Sequence, residues 1–316
     1  MSLMRSLLLA GSQSAWLRDR AMHHPFVRRS VARFMPGETV EAAIDAARQV
    51  QARGASSVVT RLGENVADVS EADQVAAHYR DVIARVGAAG LDVQVSVKPT
   101  QLGLDLDLET CFRHLAALVE LAERTGNFVW IDMESTKYVD LTLELFRRAR
   151  ARSSRVGVCL QAYLRRTFDD LESLLPLGPA IRLVKGAYRE PPSLAYAGKR
   201  KVDENYFELA SRLCEDDAQR AGATVAIGTH DEELIRRLVA QASSHEVRPA
   251  GRDHAGGYEF EMLFGIQRGV QARLLSHHQP LRILISYGEY WFPWYMRRLA
   301  ERPANVWFVA RSILRG

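Results

Sequence analysis

Cysteine is scarce in this 316-residue chain, and its absence as a pattern is informative. Cys111, Cys159 and Cys214 lie far apart, with an odd count and no Cys-x-x-Cys. That argues against a disulfide framework and for free thiols in a reducing compartment. Long apolar runs are missing as well. Nothing approaches the roughly 20 residues that span a bilayer, and Leu7-Leu8-Leu9-Ala10 is far too short for a signal-peptide core. A cytoplasmic location is therefore predicted. Charge of one sign is also in short supply, with a formal net charge of +4. So slight an excess does not argue for nucleic acid, although it is compatible with acidic ligands or an anionic membrane surface.

Several catalytic signatures are absent, and each excludes a chemistry. No Gly-x-Gly-x-x-Gly follows a strand-like run, which disfavours a Rossmann dinucleotide site. No Gly-x-x-x-x-Gly-Lys-Ser/Thr phosphate loop and no Gly-x-Ser-x-Gly elbow occurs. His-Glu-x-x-His is missing, and His23-His24 and His277-His278 are adjacent rather than one helical turn apart, so no metal is expected.

What the chain does contain is a change of period. Residues 1–53 read as helices, with apolar positions at mixed three- and four-residue spacing and a helical pattern from Thr39 to Arg53. Beyond Gly54, short β-branched or apolar runs alternate with helical stretches. The runs are Ser57–Thr60, Val93–Val97, Phe128–Ile131, Val156–Leu160, Ile181–Val184, Thr224–Ile227, Tyr258–Met262 and Leu281–Ile285. Between them, Glu71–Ala89, Leu108–Thr125, Val139–Arg150, Asp203–Ala221 and Glu232–Ala242 read as helices. Eight strands alternating with helices predict a (β/α)8 barrel over residues 54–316, with residues 1–53 as a helical arm packed on it. The seventh strand is the weakest, because Gly256-Gly257 precedes it and charges interrupt it. Glu190–Lys199 is the longest loop and resembles a functional lid. The basic run Arg147–Arg155 is most simply a solvated helix end.

In such a barrel, chemistry sits at the C-terminal ends of the strands. Those ends carry Arg61 and Glu64, Lys98, Asp132 and Glu134, Gln161, Lys185 and Tyr188, and Thr229, His230 and Asp231. Converging from six strand ends, they suggest a lined site. Arg182, Lys185, Lys199, Arg200 and Lys201 form a basic group that suits a pyrophosphate or, equally, a plain surface loop. Near the C-terminus, Arg297, Arg298 and Glu301 lie between Pro293 and Pro303, which suit a helix start and stop. Glu301 is one helical turn beyond both arginines and can orient either guanidinium. Two functions are open there. The arginines can fork a carboxylate beside an apolar wall of Tyr290, Trp291, Phe292, Trp294 and Tyr295, or they decorate an ordinary helix with an aromatic core face.

The segments Ser96-Val-Lys-Pro99, Trp130-Ile-Asp-Met-Glu134, Gln161-Ala-Tyr163, Arg182-Leu-Val-Lys-Gly-Ala-Tyr188, Gly228-Thr-His-Asp231, Tyr258-Glu-Phe-Glu-Met-Leu263 and Met296-Arg-Arg-Leu-Ala-Glu301 resemble the proline dehydrogenase family in order and spacing. The resemblance covers about residues 55–310. It implies a distorted barrel whose last helix lies over the mouth, with FAD bound non-covalently at the strand ends. It also implies oxidation of L-proline to Δ1-pyrroline-5-carboxylate, with electrons passed to a membrane quinone, and leaves room for peripheral association with the inner face of the cell membrane. By position, Lys98, Arg297 and Arg298 would hold the substrate carboxylate, Asp132 would pair with Lys98, and Glu301 would set the arginine fork. Glu64 would pair with Arg297 as a gate. Cofactor contacts would come from Asp132, Met133, Gln161, Arg182, Val184, Lys185, Gly186, Ala187, Lys201, Thr229, His230 and Asp231. Ala187, Tyr188 and Leu263 would pack on the proline ring. Leu284 and Trp294 stand where many relatives carry tyrosines facing that ring, which predicts that L-proline remains the better substrate and that trans-4-hydroxy-L-proline is turned over with a penalty mainly in KM. Two other readings compete: a barrel aldolase or lyase with Lys98 or Lys185 as a Schiff-base lysine, and a non-catalytic barrel that binds carboxylates or phosphates.

Overall fold

The computed structural model describes residues 31–292 and 295–296. Eight parallel strands close on themselves in chain order, β1 next to β2 and onward until β8 pairs with β1. They are β1 (Ser56–Arg61), β2 (Val93–Val97), β3 (Val129–Ile131), β4 (Val156–Gln161), β5 (Ala180–Val184), β6 (Thr224–Gly228), β7 (Gly257–Leu263) and β8 (Leu281–Tyr287). The seam is long: six residues of β1, from Ser56 to Arg61, lie opposite Arg282 to Tyr287 of β8.

Helix α1 (Val40–Gln51) precedes the barrel and buries Val40, Ala43, Ile44, Ala47 and Val50 in the same core as the strands. Between strands come α2 (Val69–Ala88), α3 (Leu108–Thr125), α4 (Val139–Arg150), α5 (Thr167–Leu174), α6 (Lys199–Cys214), α7 (Asp216–Arg220), α8 (Glu232–Ser244) and α9 (Arg268–Ser276). Side chains of Thr39, Asp68, Asp107 and Asp231 accept from backbone N–H groups in the first turns of α1, α2, α3 and α8. These caps satisfy donors that a helix start leaves unpaired. The basic run at the end of α4 is absorbed locally. Arg147 donates to Ser173, Arg148 to Glu109, and Arg150 to the carbonyls of Ser154, Leu177 and Gly178.

Alternate strand residues point inward, as the pleat requires. Val58, Phe128, Trp130, Ala180 and Ala226, with Leu284 against them, form a small apolar core inside the barrel, separate from the larger one under the helices. Two large rings fit there because Ala180, Ala226 and Gly157 are small. The rest of the interior is polar: Gln94, Ser96, Arg182, Glu259, Glu261 and Arg282 are all buried. This reverses the expectation of a weak seventh strand. The charges that interrupt its sequence are the inward residues, Glu259 lying 3.0 Å from Arg282 and Glu261 lying 2.6 Å from Arg182.

Two helices escape the sequence pattern, α5 and α9, and α6 starts four residues earlier than its apolar spacing suggests. The predicted Asp203–Ala221 helix is in fact two, broken at Glu215, whose backbone is extended (φ −68°, ψ 152°).

Candidate active site

At the C-terminal mouth, Asp132 is the hub. Its Oδ1 accepts from Ser96 Oγ (2.7 Å) and from Arg182 Nη1 (3.1 Å), and its Oδ2 lies 3.9 Å from Lys98 Nζ. Arg182 Nη1 also donates to Ser96 Oγ at 2.8 Å. The guanidinium lies 4.6 Å from the centre of the Trp130 ring and, on its Nε side, against Glu261. Four strands thus contribute: β2 with Ser96 and the following Lys98, β3 with the following Asp132, β5 with Arg182, and β7 with Glu261. Burial opposes the charge on Arg182, but Glu261 and Asp132 outweigh it and raise its pKa above the ordinary value. Burial raises Glu261, against the pull of Arg182. Cys159, inward on β4, is pushed up to about 12 by burial and is inert as a nucleophile.

A second charge cluster stands over β5 and β6. Lys185 Nζ contacts Asp203 and lies 3.0 Å from Asp231 Oδ2, and Lys199 contacts the same two carboxylates. Burial would raise Asp231, but hydrogen bonds from Lys199 and Lys185 hold it well below the usual carboxylate range. Asp231, singled out in the sequence, therefore has its carboxylate taken up by two lysines while it caps α8. Lys201 is exposed on the first turn of α6.

Gln161 donates to the Met133 carbonyl at 3.2 Å, and Thr229 Oγ1 accepts from Asp231 N at 3.2 Å. His230 Nε2 accepts from Leu263 N at 3.3 Å, which ties β6 to β7 at the mouth. Gly186 has φ 113°, and a Cβ there would fall 2.1 Å from the Tyr163 ring, so only glycine passes. Val184, Tyr188, Leu263 and Leu284 are half-buried, and Ala187 is exposed. Leu263 and Leu284 are direct register partners on β7 and β8.

Other expectations change. Glu134 is spent on structure, accepting from Thr100 N (3.0 Å) and Thr100 Oγ1 (2.7 Å). Trp291, Phe292 and Tyr295 bury against Val31, Met35 and Leu62, while Tyr290 is exposed. Trp291 Nε1 donates to Glu38 at 3.0 Å. Glu64 is exposed in the loop after β1. Trp294, Arg297, Arg298 and Glu301 lie outside the described residues, as does the helix expected over the mouth. The sequence reading missed Ser96, Asp203 and Glu261 as parts of the site. The signal was available for Glu261, since Glu259 and Glu261 keep a period of two within an otherwise apolar strand.

Comparison with known proteins bears on this geometry. The sequence model of the family described as proline dehydrogenase matches residues 43–311. The chain belongs to the proline dehydrogenase family. Proline dehydrogenase 1 of Bacillus subtilis strain 168 is 33% identical over 313 residues, covering 99% of this chain and 100% of the relative. Proline dehydrogenase of Deinococcus radiodurans is 34% identical over 293 residues, 90% of each chain. Among solved structures, proline utilization A from Bdellovibrio bacteriovorus, inactivated by N-propargylglycine, superposes with a TM-score of 0.77 at 23% identity. That match covers 87% of this chain and 32% of the larger protein, and it speaks to the fold. The mouth thus brings together one cation, Lys98, a carboxylate 3.9 Å from it, Asp132, and a second cation, Arg182, on β5.

Proposed function

We propose that this chain oxidises L-proline to Δ1-pyrroline-5-carboxylate, the first step of proline catabolism, using non-covalent FAD at the barrel mouth and passing electrons to a membrane quinone. The observation that carries the reading is the Lys98–Asp132–Arg182 line across the mouth, in a chain of the proline dehydrogenase family. The residues fit a flavin. Gln161 Oε1 and Arg182 Nη2 are buried without a hydrogen-bond partner among the described residues, one an acceptor and one a donor, which suits a ring system bearing both. Met133, Val184, Lys185, Gly186, Ala187, Thr229, His230 and Asp231 stand at or just after the ends of β3, β5 and β6, and Lys201 is exposed for a pyrophosphate.

Bound there, FAD supplies the acceptor for the hydride lost from the ring carbon next to nitrogen, while the nitrogen gives up a proton. The chain's part is positioning. Lys98, with Arg297 and Arg298, holds the carboxylate. Asp132 keeps Lys98 oriented, and Glu301 orients the arginine fork. Ala187, Tyr188, Leu263, Leu284 and Trp294 pack on the ring and exclude water. Glu64 with Arg297 gates entry. We place the helical arm at residues 1–53 and the barrel at 54–316, in the cytoplasm and peripherally at the inner membrane face where quinone is met.

The test is a visible spectrum of the purified protein before and after anaerobic L-proline. A flavin spectrum that bleaches is expected. Release of a nicotinamide, or no chromophore after reconstitution with FAD, would overturn the reading. The Schiff-base alternative is served poorly, because its lysine must be free to reach a substrate carbonyl. Lys185 instead sits between two carboxylates, and Lys98 lies beside a third. Borohydride trapping with a carbonyl substrate should give no adduct.

A further inference from the structure

The interior of the barrel carries two acids on one strand that differ in what they face. Glu259 meets Arg282 toward the N-terminal floor, where Asp92 and the Ser57 carbonyl complete the guanidinium's contacts. Glu261, two residues nearer the mouth, meets Arg182, which in turn holds Asp132. At the mouth the four charges Lys98, Asp132, Arg182 and Glu261 sum to zero when both acids are ionised. Glu261 is buried, with a side chain only 3% exposed, so no solvent screens its effect on Arg182. Its second oxygen, Oε1, has no hydrogen-bond partner among the described residues. An acid held this deeply for packing alone is a poor choice, because a buried ion pair is often no more stable than apolar residues of the same volume.

We propose that Glu261 is a positioning residue that acts through Arg182, fixing the guanidinium and offsetting its charge so that a reduced flavin at the mouth does not hold its electrons too tightly. This rests on the FAD reading above. A guanidinium without a counter-charge beside the flavin favours the electron-rich reduced form. Proline oxidation would then be easy, and delivery of electrons to the next acceptor would be the harder half of the cycle. Paired with Glu261, the same guanidinium still donates hydrogen bonds but contributes less positive potential.

The experiment compares holoprotein with Glu261→Gln, which keeps the shape and loses the charge. Midpoint potential is measured by reductive titration against a reference dye, and sulfite affinity is measured by loss of flavin absorbance. Glu261→Gln should favour the reduced form about tenfold, an upward shift of about 30 mV for a two-electron couple, and should bind sulfite more tightly by a similar factor. Glu259→Gln is the control. It removes the same charge from the same strand at the floor, so it should lower thermal stability and leave the potential where it was. Where Glu261→Gln does not accumulate, Glu261→Ala carries the test: added formate, but not formamide, should bring its raised potential back down. An unchanged potential in Glu261→Gln, an equal shift in Glu259→Gln, or rescue by formamide overturns the proposal. A wild-type protein that takes up no FAD overturns the functional reading first, and this one with it.

Discussion

Gly157 on β4 is a position where no side chain larger than hydrogen fits. A Cβ there would lie 2.5 Å from the Trp130 ring and 2.9 Å from the Ala180 carbonyl. Gly157→Ala should therefore cost about 1–3 kcal/mol through overpacking, read as a lower denaturation midpoint at unchanged denaturant slope. An unchanged midpoint would mean that the ring moves freely. Trp130 also sets a chain of protonation states. Its indole can only donate, and it donates to Gln94 Oε1 at 2.7 Å. Gln94 Nε2 is thereby turned to His254 Nε2, 2.6 Å away, and must donate to it. His254 is thus neutral with its proton on Nδ1, and burial holds its pKa well below the ordinary value. Half-buried His78, bonded to the Tyr287 hydroxyl, is lowered by burial as well. The sign follows: below about pH 6.5 an unfolded histidine takes a proton that the folded one refuses, so stability falls with falling pH. The melting temperature should drop between pH 7 and pH 5.5, and His254→Gln should flatten that slope even if it lowers the value throughout. An identical slope in the variant would assign the effect to other groups. Little of this was legible beforehand. Lys98 and Asp132 stand out because they end strands, whereas the roles of His254 and Glu261 depend on partners from distant strands that spacing does not reveal.

The strands were legible nearly to the residue, because β-branched runs between helical stretches leave few alternatives. The predicted Val93–Val97 is the observed β2, and the others differ by one or two residues at an end. Helices with broad apolar stripes, such as α3 and α4, were equally plain. The eight residues of α5, with three acids, and the nine of α9, with Gly269, offer too few turns for a period to show. The loop between β5 and α6 was expected to be a lid, and the structure shows how it is tied. Tyr196 N donates to the Tyr163 carbonyl at 2.7 Å, and Arg165 N donates to that of Leu194 at 2.9 Å. At its near end Glu190 accepts from Thr136 N (2.9 Å) and Thr136 Oγ1 (2.6 Å), the latter on the turn before α4. Glu190→Ala should leave two donors without this acceptor and loosen the loop by about 1–2 kcal/mol. Limited proteolysis within residues 187–198 should then speed up while global unfolding stays nearly unchanged. Equal cleavage rates would show that the latch does not hold the loop.

At the scale of the whole molecule, the barrel is a single closed surface in chain order, and its interior ion pairs bridge strands rather than follow the chain. The closure was predicted from the count of eight, but the polar filling was not, since an apolar interior is the usual expectation for this architecture. The seam has a further consequence, for the birth of the protein rather than its chemistry. Arg282 Nη1 donates to the Ser57 carbonyl across 225 residues of sequence. On a ribosome adding about 5–20 residues per second, β1 is complete for roughly 10–45 s before its partner β8 exists. Throughout that interval one edge of a nascent parallel sheet stays open, with six residues of unsatisfied backbone available to any other strand. Helix α1, made earlier and packed beside that edge in the finished fold, is placed to shelter it during synthesis.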